Sequence, residues 1–94
     1  MRLRKDIPLP QYRHRGDAGV DLFNAVEKIL LKPQERALIP TGIKVAIPYG
    51  YELQIRPRSG LAINKGLTVL NSPGTVDSTY RGEVQVIIFN TNPK

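Results

Sequence analysis

Short apolar stretches alternate with polar ones along this chain, and eight Gly and eight Pro are spread between them. That is the rhythm of strands separated by turns. Ile43-Lys44-Val45-Ala46-Ile47 and Tyr51-Glu52-Leu53-Gln54-Ile55-Arg56 each alternate large apolar with polar or small residues, and Pro48-Tyr49-Gly50 between them carries turn chemistry. Together they predict a β-hairpin. Further strands are predicted over Val20–Asn24, Lys28–Leu31, Arg36–Ile39, Leu67–Leu70 and Glu83–Phe89. No amphipathic helix is predicted: Glu27–Lys32 imitates one, but it is too short and Pro33 prevents its continuation. Many short strands with closely spaced turns predict an all-β sandwich, jelly roll or small barrel. Glu83–Phe89 is apolar on both faces from Val86 onward. It is therefore expected to be an internal strand, or to be covered by another chain or by a C-terminal segment beyond Lys94.

Length and composition narrow the picture. The 94 residues are expected to form a single domain, in which roughly 60–65% of the unfolded surface is buried. With 40% apolar residues, four Tyr, two Phe and no Trp, the core must be small and mostly aliphatic, and neighbouring subunits are expected to help cover it. The absence of Cys excludes disulfides and thiolate metal sites, and the lone His14 cannot build a zinc site. No apolar run reaches the roughly 18–20 residues of a membrane span, and Met1–Asp6 lacks the apolar core of a secretory signal. An intracellular, cytoplasmic protein without a membrane partner is expected.

Fourteen basic residues against eight acidic ones give a formal charge of +6. That balance favours a polyanionic ligand, either nucleic acid or a nucleotide polyphosphate, without choosing between them. Much of the excess lies in Arg2-Leu3-Arg4-Lys5 and Arg13-His14-Arg15, whose simplest explanation is a solvated surface.

Three segments combine Gly with polar or charged residues in ways a scaffold does not require: Ala18–Leu22, Pro57–Ala62 and Asn71–Glu83. In the second, Gly60 allows a ligand close to the backbone, Ser59 offers a hydroxyl and an N–H, and Arg58 offers a guanidinium fork suited to phosphate oxygens. The same residues also make an ordinary polar turn after a strand. In the third, Asp77 beside Val76, with Tyr80 and Gly82 following, could orient a water next to an aromatic face. Equally, Asp77 could cap a turn, with Tyr80 at the rim of the core and Arg81-Gly82 at a bend.

Taken in order, these segments resemble the first three motifs of the trimeric dUTPases. Ala18-Gly19-Val20-Asp21-Leu22 looks like the first, Pro57-Arg58-Ser59-Gly60-Leu61-Ala62 like the second, and Gly74-Thr75-Val76-Asp77-Ser78-Thr79-Tyr80-Arg81-Gly82-Glu83 like the third. Pro40-Thr41-Gly42 and Pro48-Tyr49-Gly50-Tyr51-Glu52 are similar to connecting pieces of that family, so the resemblance runs from about Asp17 to Asn92. It implies a jelly-roll-like (β-clip) fold, hydrolysis of dUTP to dUMP and pyrophosphate, and a homotrimer with active sites shared between subunits. It also implies Mg2+ held mainly by substrate phosphates and water, an arrangement that needs no cluster of protein ligands.

The implied roles follow position by position. Asp77 would be the general base that orients the attacking water. Tyr80 would pack on the deoxyribose and leave no space for a 2'-hydroxyl. Asn71 and the backbone of Gly74 would read the uracil edge in a hairpin pocket. Arg58, Ser59 and Gly60 would hold the phosphates, and Asp21 would face the Mg2+ through water.

The family pattern continues beyond the strand matching Glu83–Asn92 into a fourth motif with Arg and Gln and a Gly-rich arm; neither lies before Lys94. A C-terminally truncated chain is therefore expected, and a nucleotide-binding module without turnover is the main alternative. Thr75 stands where the family more often has an apolar residue. The dCTP deaminases share the fold, but usually carry Ser-Ser where Ser59-Gly60 stands and lack the Asp77–Tyr80 hairpin. A basic nucleic-acid-binding barrel is disfavoured because Tyr12, Tyr49, Tyr51 and Tyr80 are scattered rather than arrayed for stacking.

Overall fold

The computed structural model describes residues 1–94. Five strands and one short helix follow in the order β1 (Arg36–Lys44), β2 (Leu53–Ile55), α1 (Ser59–Lys65), β3 (Leu67–Val69), β4 (Gly74–Val76) and β5 (Glu83–Asn90). They form a three-stranded antiparallel sheet of order β1-β5-β3 and a two-stranded sheet of order β2-β4. The all-β expectation holds, with α1 as its exception.

The predicted hairpin does not form. Instead of pairing with each other, β1 pairs with β5 and β2 with β4. The reason lies in Pro40-Thr41-Gly42, which reads as an interruption but is spanned by one strand of nine residues. A proline lacks the N–H a ladder needs, and is tolerated in edge strands and at bulges; β1 is an edge strand, and Pro40 opens an irregularity in its register. Pro40 faces Gln85 and Lys44 faces Glu83, so Thr41-Gly42-Ile43 stand opposite Val84 alone. Side chains replace the lost ladder bonds. The buried Thr41 hydroxyl donates to the Val84 carbonyl at 2.6 Å, and the Gly42 N–H donates to Glu83 Oε2 at 2.9 Å.

Gly42 adopts φ 75°, and a Cβ there would meet Ile7 Cγ1 at 2.9 Å and Ala25 Cβ at 3.1 Å. Only glycine satisfies both demands. The N-terminal segment is laid across this bulge: Leu3 N–H donates to the Gly42 carbonyl at 2.6 Å, Lys44 N–H to Met1 O at 2.8 Å, and Ala25 N–H to Pro40 O at 2.9 Å.

Ile7, Ala25, Ile43, Ile55, Val69 and Val84 form the buried core, with Val84 the most enclosed at 1% exposure. It draws on both sheets and on the N-terminal segment, and it is small and aliphatic, as composition requires. β5 is internal in its sheet, bonded to β1 on one edge and β3 on the other, as its doubly apolar sequence predicts. Its residues Val86–Phe89 are nevertheless only half-buried.

Val20–Asn24 and Lys28–Leu31 are not strands but irregular chain. Their backbone groups are satisfied locally or by contacts with other segments, such as Val26 N–H to Asn24 Oδ1 at 2.9 Å and Asn90 Nδ2 to Leu31 O at 2.9 Å. The missed helix α1 covers much of the second motif. It ends at Gly66, whose φ of 68° is left-handed and whose N–H donates to Ala62 O, a common helix stop. No helix is long and apolar enough to cross a membrane.

Candidate active site

Asn71, Gly74, Asp77 and Tyr80 line one cleft of about 280 Å³ between the two sheets. Gly74 starts β4, where it faces Ile55 of β2, and it is buried. A Cβ at Gly74 would meet the Asn71 amide at 3.5–3.7 Å, so the Asn71 side chain lies beside the Gly74 backbone with its polar group available to a planar ligand edge. The Ser72–Pro73 peptide between them is cis.

After β4 the chain turns through Asp77–Gly82 and enters β5. The turn is held by bonds within itself: Tyr80 N–H donates to Asp77 O at 3.1 Å, Tyr80 Oη donates to Glu83 O at 2.6 Å, and Arg81 Nη1 donates to Ser78 O and, at 3.0 Å, to Tyr80 O. β4 and β5 pair with other strands and not with each other, so the predicted hairpin is a self-bonded loop between sheets. The Asp77 carboxylate enters no ion pair. It remains free to accept a proton or hold a water.

The phosphate-binding candidates form a second group. Arg58 precedes α1, and Ser59 and Gly60 begin it. The first N–H groups of a helix have no acceptor within it, and no side chain caps this one. Arg58 Nε stands 3.8 Å from Asp21 Oδ1, and Arg13 Nη1 stands 3.9 Å from Asp21 Oδ2. The first and second motifs therefore meet at Asp21 and Arg58. None of Asp21, Arg58, Ser59 or Gly60 lines the cleft that holds Asp77.

No group of three or more His, Cys, Asp or Glu side chains could hold a metal ion. That donor set builds no protein cage for a cation, an arrangement that a cation keeping most of its waters does not need. Elsewhere the positive charge is partly balanced within the chain. Arg4 bonds Asp6 at 2.6 and 3.0 Å, which lowers the Asp6 carboxyl below its usual range, and His14 approaches Asp17 at 3.4 Å.

Sequence reasoning missed α1 and the part played by Glu83 and Thr41. Basic Lys65 followed by Gly66 was the available signal for the helix end. No sequence signal marks Glu83 as the partner of Gly42, because that bond depends on the bulge.

The model of the dUTPase family matches residues 5–94, and the chain belongs to that family. It is 65% identical over 83 residues to the deoxyuridine 5'-triphosphate nucleotidohydrolase of Chlamydia pneumoniae, covering 87% of this chain and 57% of that protein. It is 54% identical over 93 residues to the one from Hydrogenobaculum sp. (strain Y04AAS1), covering 99% of this chain and 65% of that protein. Among solved structures, the dUTPase of phage phi11 of S. aureus superposes with a TM-score of 0.89 at 35% identity, over 98% of this chain and 58% of that one. That structure describes the coordination of a structural Mg(II) ion. A point mutant of the dUTPase of Staphylococcus bacteriophage 80alpha, solved with dUpNHpp, superposes at 0.84 and 36% identity, over 97% of this chain and 57% of that one. The jelly-roll-like all-β class expected from the motifs is thereby the class of this fold. The chain spans between 51 and 65% of the length of the curated relatives it matches.

Proposed function

We propose that this chain acts as a dUTP diphosphatase that hydrolyses dUTP to dUMP and pyrophosphate with Mg2+. The observation that carries this reading is the cleft in which Asn71, Gly74, Asp77 and Tyr80 meet, with the Asp77 carboxylate unpaired and the Tyr80 ring fixed. Asn71 and the Gly74 backbone offer donors and acceptors to the uracil edge, and Tyr80 packs on the sugar. Asp77 orients a water and accepts its proton as the water oxygen attacks the α-phosphorus; the bond to the bridging oxygen breaks and pyrophosphate leaves.

Arg58 and the N–H groups of Ser59 and Gly60 neutralise charge that spreads over the phosphate oxygens. A bound Mg2+ would add charge neutralisation on those oxygens, with Asp21 as its water-mediated partner. Asp77 and Arg58 lie in different places within one chain, which supports a homotrimer whose sites combine the cleft of one subunit with the Arg58 region of another.

Pyrophosphate release from dUTP and Mg2+ by the purified chain tests the reading, with Asp77→Asn as control. Asp77-dependent release is expected; nucleotide binding without release would identify a recognition module instead. Ammonia release from dCTP, or salt-sensitive oligonucleotide binding without preference for dUTP, would replace the reading altogether.

A further inference from the structure

Gly82 has no backbone reason to be glycine. The glycines in the left-handed region are Gly16, Gly42, Gly50 and Gly66, and Gly82 is not among them. What is occupied is the space of its absent side chain. A Cβ at Gly82 would stand 2.7 Å from Tyr80 Oη, 2.9 Å from Cζ and 3.3 Å from Cε1. The phenol therefore lies against the Gly82 backbone and is tethered there by the 2.6 Å bond from its hydroxyl to the Glu83 carbonyl. Glu83 is fixed in turn, its Oε2 accepting the Gly42 N–H at 2.9 Å. With the ring held at its hydroxyl end and the Tyr80 backbone held by its N–H bond to the Asp77 carbonyl, an added methyl at position 82 can be accommodated only by moving the ring away from its seat.

We infer that Gly82 is the positioning residue for sugar specificity. By lacking a side chain it lets the Tyr80 ring sit against the backbone, at the place where the ring separates deoxyribose from ribose. This rests on the dUTP-binding reading above and deepens it: Tyr80 touches the sugar, and Gly82 acts through Tyr80. Because an alanine is compatible with the backbone at residue 82, the cost of Gly82→Ala falls on the ring and not on the fold.

The test is calorimetric titration of the full 94-residue chain with dUMP and with UMP, for the parent, Gly82→Ala, Tyr80→Ala and the double variant. The expected result is a preference for dUMP in the parent, and a ratio of UMP to dUMP dissociation constants reduced about tenfold or more in Gly82→Ala, with the thermal midpoint nearly kept. In the Tyr80→Ala background, Gly82→Ala is expected to lower the ratio no further, as for two residues acting through one contact. Should Gly82→Ala fail to fold, Tyr80→Phe, which removes only the tether, decides: a lowered ratio supports the seat and an unchanged one overturns it. A parent that prefers dUMP together with a folded Gly82→Ala of unchanged ratio overturns the role of Gly82 alone. A parent with no preference for dUMP overturns this inference and the proposed function together.

Discussion

Tyr80 reaches the backbone of its own turn through a 2.6 Å hydrogen bond, whereas Arg58 approaches Asp21 only to 3.8 Å with 60% of its side chain exposed. The same contrast runs through the two groups of candidate residues. Asn71–Glu83 is braced by bonds within the loop and by Glu83 and Val84 on the β1 bulge. Helix α1, beside Arg58, buries no residue and leaves Ile63 83% exposed. A ligand that enters the cleft meets a Tyr80 ring and a turn backbone already in place, and orders little there. One that meets Arg58 must order a long side chain whose exposed ion pair is worth about 0–1 kcal/mol. Within one chain, then, the proposed base-and-sugar half is organised in advance and the proposed phosphate half is not.

The largest expected effect separates chemistry from recognition. Asp77→Asn keeps the shape of the turn, since only the Asp77 main-chain carbonyl takes part in its hydrogen bonds, and removes the proposed base. Turnover of dUTP should fall about 100- to 10,000-fold while affinity for deoxyuridine stays within about twofold. Pyrophosphate release and nucleoside titration read the two effects. An equal loss of both would mean that Asp77 shapes the cleft rather than the chemistry.

Next, Arg58→Ala should weaken dUTP binding about 10- to 100-fold, the worth of a charge-assisted contact to phosphate, and leave deoxyuridine binding unchanged. Titration of both ligands checks it. Comparable loss for the nucleoside would place Arg58 in the cleft, contrary to its position beside Asp21.

Thr41→Val removes the hydroxyl that donates to the Val84 carbonyl and leaves a buried acceptor unpaired. It should destabilise the chain by about 1–3 kcal/mol, read from denaturant unfolding. Because the bulge carries the β5 end of the loop, nucleotide affinity should fall only in step with the unfolded fraction.

How much of this was legible from sequence differs between the same two regions. Asn71, Gly74, Asp77 and Tyr80 stand close together in the sequence, and their meeting at one cleft follows from that nearness. The mechanical support of the third motif was not legible, because Glu83 bonds Gly42 across a long stretch of sequence and only through an irregular register. Local pattern also misled where tertiary pairing overrode it. Pro40-Thr41-Gly42 has turn composition, yet an edge position let the strand continue. Val20–Asn24 has strand composition, yet no neighbouring edge takes it up. Helix α1 is too short for periodicity to reveal. Strand β5 was legible because burial within a sheet demands what its sequence shows, an apolar run without alternation.

The smallest expected effect probes the less organised half directly. Ile63 lies on α1 with 83% of its surface exposed, so Ile63→Ser removes almost no buried area and should change unfolding free energy by no more than about 0.5 kcal/mol. Set beside Thr41→Val, it contrasts a residue that secures the fold with one that the fold leaves alone. Chemical unfolding at two protein concentrations checks it. A loss above about 1 kcal/mol that grows on dilution would mean that α1 packs against a second copy. The phosphate half would then be ordered by assembly, and the contrast with the cleft would belong to the single chain rather than to the assembled protein.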